Sequence, residues 1–175
     1  MNNYFDIFKL KTSYDLDIEL LESNYQKIMS KLHPDNFANM GEMAADVANT
    51  KSVEYNKAYS KLKSPVYRAK HLLEINNYSI DFENVKVKSE YLMQQFDLKE
   101  SFAELDGSAN SYNDFLTKLE QDYDNHINAL SSLFANKDYQ QVKDLLPHLK
   151  FLSKLISDVQ YKNSIYSKES RLWTY

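Results

Sequence analysis

The chain of 175 residues contains no cysteine, which excludes disulfides, thiolate metal sites and a cysteine nucleophile. Glycine and proline are nearly as scarce, with only Gly41, Gly107, Pro34, Pro65 and Pro147 in the whole sequence. Punctuation that sparse leaves little room for hairpins or a many-stranded sheet, and none for a glycine-rich phosphate loop. Long apolar runs are missing, so no membrane span is expected. The opening Met1 to Phe8 has neither the basic end and apolar core of a signal peptide nor the arginine-rich character of a transit peptide, and the expected location is a bacterial cytoplasm. Basic excess is missing too. The net charge is −4, with 10 basic and 10 acidic side chains in residues 1–75 against 11 and 15 in residues 76–175. Nine acidic residues against two lysines lie between Glu90 and Asp124. Such a field repels nucleic-acid backbones and anionic lipid, so neither is an expected partner.

What is present is helical periodicity. Ile18, Leu21, Tyr25, Ile28 and Leu32 recur at spacings of three and four and predict an amphipathic helix over 17–32. Its acidic start and lysine-bearing end complement the helix dipole, and Pro34 stops it by disfavouring helical geometry at His33. A second helix is predicted over 42–62, with Ala44, Ala48, Tyr55, Ala58 and Leu62 inward. The two should pack antiparallel across the short loop 36–41. Tyr4, Phe5, Ile7 and Phe8 form an apolar turn to close over the pair, and Pro65 opens a further short helix to Glu74. Residues 76–88, rich in Asn, Ser and Asp, read as a linker.

Three more periodic segments follow, over 89–105, 111–134 and from Tyr139 into the 160s, and short connections between them imply an antiparallel three-helix bundle. The expected architecture is therefore all-α, with a helical hairpin domain over 1–75 and a bundle over 89–175. Pro147, inside the last helix, removes a hydrogen bond and should kink it.

The tripeptide His33-Pro34-Asp35 falls at the tip of the first hairpin, where a core cannot claim it. Proline stiffens the loop and holds an imidazole and a carboxylate at fixed spacing, and a carboxylate is a good bidentate partner for an arginine on another protein. Lys27 and Lys31 lie one turn apart just before it. Taken alone, the same residues could simply end one helix and cap the next turn.

Their surroundings decide otherwise. A short apolar helix, an amphipathic helix with a basic end, His-Pro-Asp and then a longer helix is an order that resembles the J-domain family. Asn56-Lys57-Ala58-Tyr59, Leu62, Pro65, Arg68-Ala69 and Leu72-Leu73, followed by a linker and a three-helix bundle, resemble more narrowly the HscB-type J-domain co-chaperones of iron-sulfur cluster assembly. The resemblance covers nearly the whole chain. It implies that His33, Pro34 and Asp35, supported by Lys27 and Lys31, contact a DnaK-like ATPase of the HscA type, while the bundle holds an iron-sulfur scaffold of the IscU type. Asn36 stands where that family usually has lysine, Pro147 departs from its pattern, and the tetracysteine extension of eukaryotic members is absent.

The helix over 89–105 carries two apolar faces where a bundle helix needs one. At about 100° per residue, Tyr91, Leu98, Phe102 and Leu105 make an inward stripe. Leu92, Met93, Phe96, Asp97, Glu100 and Glu104 lie opposite, an apolar end with an acidic rim that reads as a protein-binding patch. Phe151, about 200° around its helix from Leu149, lies off the core stripe and is expected to be an exposed aromatic of the same surface. The resemblance assigns scaffold binding to these seven positions.

No catalytic residue, metal ligand or cofactor is expected. His33, His71, His126 and His148 are scattered without ligand spacing, and His126 is expected to be a packed core histidine. The alternative is a J-domain co-chaperone for another client, with the bundle as a docking or dimerisation module.

Overall fold

The computed structural model describes residues 3–37 and 40–172, with side chains as far as Ile165, so the lone Trp173 lies outside the described residues. Among those residues there is no strand; there are seven α-helices and one 3-10 turn: α1 (Tyr4–Ile7), α2 (Ile18–Lys31), the turn Pro34–Phe37, α3 (Glu42–Lys63), α4 (Pro65–Ile75), α5 (Ser89–Ala103), α6 (Ala109–Ala135) and α7 (Tyr139–Leu172). The all-α expectation is met. Among the described residues no helix is long and apolar enough to cross a membrane.

The chain divides into two compact units, Met1–Ser79 and Ile80–Tyr175. In the first, Asp17 caps α2 by accepting the Leu20 N–H at 2.9 Å, the role for which a short carboxylate is preferred. Leu21 of α2, Ala48, Ala58 and Leu62 of α3, and Ala69, Leu72 and Leu73 of α4 are buried with Phe5 and Phe8. The side chain of Tyr25 stacks on Tyr59 at 4.0 Å and donates its hydroxyl hydrogen bond to Asn56 Oδ1 at 2.6 Å, which sets the antiparallel register of α2 on α3. Ala58, with no exposed surface, lets the two helices approach.

His71 fastens α1 to α4. Its Nε2 accepts the Tyr4 N–H at 3.0 Å while Tyr4 stacks on the ring at 4.1 Å. Accepting at Nε2 leaves the proton of a neutral ring on Nδ1, 3.7 Å from Glu74 Oε2. Burial outweighs the Glu74 carboxylate and holds the pKa below its ordinary 6.5.

In the second unit, α6 and α7 run antiparallel: Asn163 Nδ2 donates to Asn113 Oδ1 at 2.8 Å at one end, and His148 meets His126 edge-on further along. Helix α5 runs parallel to α7, with Tyr91 on His148 near its start and Lys162 over the Phe102 ring near its end. Val142, Leu145, Leu146, Leu149, Leu152, Leu155 and Val159 are buried along α7. Helix α5, by contrast, has no buried residue. Phe102 and Leu98 are half-buried against the core of Tyr112, Phe115, Leu119, Leu152, Leu155 and Val159. The inward stripe on α5 is thus real but shallow.

One local expectation needs revision. Part of the segment read as a linker is anchored to α7. Ile80 is buried, the Lys150 ammonium lies 3.3 Å from a Glu83 carboxylate oxygen and 4.9 Å from the Phe82 ring centroid, and Lys88 pairs with Asp144 at 3.1 Å. Composition could not disclose these partners, which lie some sixty residues on. Helix α7 continues through Pro147, as a kinked helix also does. Pro147 and its neighbours Leu145, Leu146, His148 and Leu149 are all buried; packing on both sides offsets a helix-interior proline cost of roughly 3 kcal/mol.

With glycine so scarce, three helices end on left-handed residues that carry side chains: Lys9, Asn77 and Lys137, at φ of 53°, 64° and 60°. Each closes the same paired turn. After α6, Asp138 N–H reaches Leu133 O at 2.9 Å and Lys137 N–H reaches Phe134 O at 3.1 Å, the two bonds of a Schellman ending. Because a side chain in this region is penalised by about 1–2 kcal/mol, Lys137→Gly should raise unfolding stability by about 0.5–1 kcal/mol after glycine's own entropy is subtracted. Lys137→Ala should not, and denaturant titration of both variants separates backbone relief from loss of the lysine.

A second expectation concerns acid. Just below pH 6.5 the folded protein binds fewer protons at His71 than the unfolded chain does. Its contribution is complete above that pH and is lost as the pH falls through it. Melting temperature should therefore drop between pH 7.5 and 5.5, and His71→Gln, which cannot titrate but can still accept from Tyr4, should show a shallower decline.

Candidate functional site

Helix α2 ends with Leu32, whose N–H bonds Ile28 O and Met29 O, and the chain then turns through the 3-10 segment that contains Pro34 and Asp35. The tripeptide thus runs into a short 3-10 turn. His33 and Asp35 side chains are 62% and 89% exposed and their nearest charged atoms lie 3.4 Å apart. The Asp35 N–H donates to His33 Nδ1 at 3.3 Å, which in a neutral ring leaves the proton on Nε2. Asn36 closes the end of α2. Its amide donates to Ser30 O at 2.9 Å and Lys31 O at 3.3 Å, satisfying carbonyls that the helix terminus leaves without helical partners. A lysine could bond them only as a flexible point charge. Lys27 and Lys31 are exposed on α2. Beside them lies an open depression of about 450 Å³ lined by Met29, Leu32, His33, Pro34, Asn49 and Ser52. Met29, Asn49 and Ser52 were not singled out by sequence, because a residue lining a depression between two helices has no periodic signature of its own.

On α5 the structure leaves Leu92, Met93 and Phe96 at 43%, 70% and 64% exposure. Asp97, Glu100 and Glu104 are exposed beside them. Large apolar side chains left open next to carboxylates are unusual where a helix already has an inward stripe. Phe151 does not join them as expected. It is half-buried, packs against the bundle core, and has the Lys99 ammonium 5.7 Å from its ring centroid. The correction has a simple cause: α7 is flanked by both α5 and α6, so its buried arc is wider than one stripe and reaches Phe151.

His126 also departs from expectation. It is only half-buried, on α6, where its Nδ1 lies 2.8 Å from the Asp122 carbonyl oxygen, and it faces a fully buried His148 from α7. Spacing along the sequence could not bring together two histidines 22 positions apart.

Residues 87–160 match the family model described as the HSCB C-terminal oligomerisation domain. A curated relative, the "Co-chaperone protein HscB homolog" of Shewanella pealeana, is 35% identical over 161 residues, 87% of this chain and 92% of the relative. The chain belongs to the HscB co-chaperone family. The solved chaperone HscB of Vibrio cholerae is 27% identical, with a TM-score of 0.84 over 94% of this chain and 99% of that one. Human HscB, at 21% identity, shares the fold at a TM-score of 0.85 over 93% of this chain and 82% of its own. The α5 face of this HscB-family chain lies within the residues that the family model matches.

If the exposed face of α5 is surface and not core, truncating it should be nearly neutral for folding. The triple variant Leu92→Ala, Met93→Ala, Phe96→Ala should unfold close to wild type. Leu152→Ala, at a fully buried position, should lose about 2–5 kcal/mol. Denaturant melts of the two variants side by side check this.

Proposed function

We propose that this protein stimulates the ATPase of a DnaK-like chaperone of the HscA type and delivers to it an iron-sulfur scaffold of the IscU type. The observation that carries the reading is the exposed His33-Pro34-Asp35 turn between α2 and α3 in a chain of the HscB family. Residues 1–75 act as the J-domain. His33 offers a ring N–H, Asp35 a carboxylate able to take a bidentate arginine, and Lys27 and Lys31 add positive charge that speeds encounter with an acidic groove. The helical bundle over 89–175 is the client-binding domain. Its contact centre is Leu92, Met93 and Phe96, with Asp97, Glu100 and Glu104 as rim and the half-buried Phe151 of α7 as a further client-binding residue. No catalytic residue or cofactor is assigned, and the setting is a bacterial cytoplasm, in keeping with the bacterial source of its curated relatives.

A second reading draws on the family model's description as an oligomerisation domain: the same α5 face would then bind a second copy of the chain. Sedimentation of wild type and the triple variant distinguishes the two, since self-association through α5 would disappear in the variant.

For the main reading, His33→Gln should abolish stimulation of the partner ATPase with helicity and melting unchanged, because an exposed turn residue contributes little to folding. The triple α5 variant should keep basal stimulation and lose the additional stimulation that depends on scaffold, with affinity weakened by about 2–4 kcal/mol as for a small hot-spot cluster. Charge reversal at Glu100 and Glu104 should act mainly on association rate and its salt dependence. Single-turnover ATPase assays and calorimetric titration with the scaffold read these outcomes; equal stimulation by His33→Gln sinks the assignment of the loop.

A further inference from the structure

Neither partner surface uses the most unusual polar residue in the bundle. His148 of α7 has no exposed surface, and among the described residues neither of its ring nitrogens has a hydrogen-bond partner. A neutral imidazole carries one N–H donor and one lone-pair nitrogen, and leaving both unmatched inside a protein is costly. Aromatic walls hold the ring in place: Tyr91 of α5 stacks on it at 4.7 Å and Phe151 lies at 6.4 Å. Burial first, and the neighbouring His126 second, push its pKa down to about 4. A neutral ring in this place has a lone pair to offer.

The groups facing it are also donors of the right kind. Asp122 and His126 stand one turn apart on α6, and one ligand atom from each of Asp122, His126 and His148 lies within 4.8 Å of the other two. Two atoms bound to one ion at about 2.1 Å can be no more than about 4.2 Å apart, so the half-exposed Asp122 and His126 side chains, whose Oδ1 and Nδ1 lie 3.3 Å apart, would have to turn for the set to close. His126 Nδ1 donates to the Asp122 carbonyl oxygen at 2.8 Å, which leaves Nε2 with the lone pair in the neutral ring. Metal-binding histidines are commonly oriented by a hydrogen bond of this sort from the other nitrogen. The acidic excess of the second half of the chain favours a cation at this place.

We propose that Asp122, His126 and His148 form a binding site for a divalent first-row transition-metal ion, with zinc the ion suited to two imidazoles and one carboxylate. Three protein ligands leave a fourth position for water. The ion would link α6 to α7 beside Tyr91 of α5, so it would act as a brace across the bundle that presents the α5 face.

The test uses the full chain, stripped with a chelator and titrated with Zn²⁺ alone by calorimetry at pH 7.5, with Co²⁺ as an optical probe of the same site. The expected result is saturable binding of one ion per chain, a visible Co²⁺ spectrum characteristic of nitrogen and oxygen ligands in a low-coordinate site, and a higher melting temperature with Zn²⁺. His126→Ala and Asp122→Asn should each weaken binding on the order of tenfold or more, as loss of one of three ligands requires. Both positions are half-exposed, so these variants should fold even where His148→Phe does not. Failure of the wild type to bind one ion saturably, or binding only at millimolar metal, overturns the site. So does wild-type affinity in a folded His126→Ala or Asp122→Asn variant.

Discussion

The wide buried face of α7 is the constraint on which the second half of the molecule depends. From Val142 to Val159 it offers apolar side chains to α6 on one flank and α5 on the other, and through Lys150 and Asp144 it also holds Glu83 and Lys88 of the preceding segment. That breadth explains why Pro147 is tolerated. The hydrogen bond missing at the proline is set against packing on both sides of the helix, and the flanking residues are buried. It also explains why Phe151 is partly covered, and why α5 needs no fully buried residue of its own.

The α5 helix is consequently unusual in its division of labour. Leu98 and Phe102 attach it by shallow contacts, while Leu92, Met93 and Phe96 stay exposed. A sequence optimised only for stability would turn its larger apolar residues inward. Keeping three of them outside, next to carboxylates, is the feature that the proposed client contact would use.

In the first unit the residues that carry the family resemblance are chiefly architectural. Asn56 and Tyr59 hold Tyr25, Ala58 permits close approach, Leu62, Ala69, Leu72 and Leu73 fill the core, and Arg68 lies 5.1 Å from the Tyr14 ring centroid. They position the exposed turn at His33-Pro34-Asp35. Asn36 fits the same logic, since its amide closes the end of α2 directly before α3 is reached.

Sequence alone determined the helices and roughly where they lie, because the apolar period, the caps and the scarcity of glycine and proline are local and act within a few residues. The all-α class, the hairpin with its tripeptide at the tip, and the exposed face of α5 were all legible in this way. Tertiary structure alone decided what depended on distant partners: the anchoring of residues 80–88 on α7 and the partial burial of Phe151. It also decided the meeting of Asp122 and His126 with His148. Helical period states which side of a helix is apolar; it does not state how many neighbours that side will have, nor which polar groups two antiparallel helices will bring to the same level.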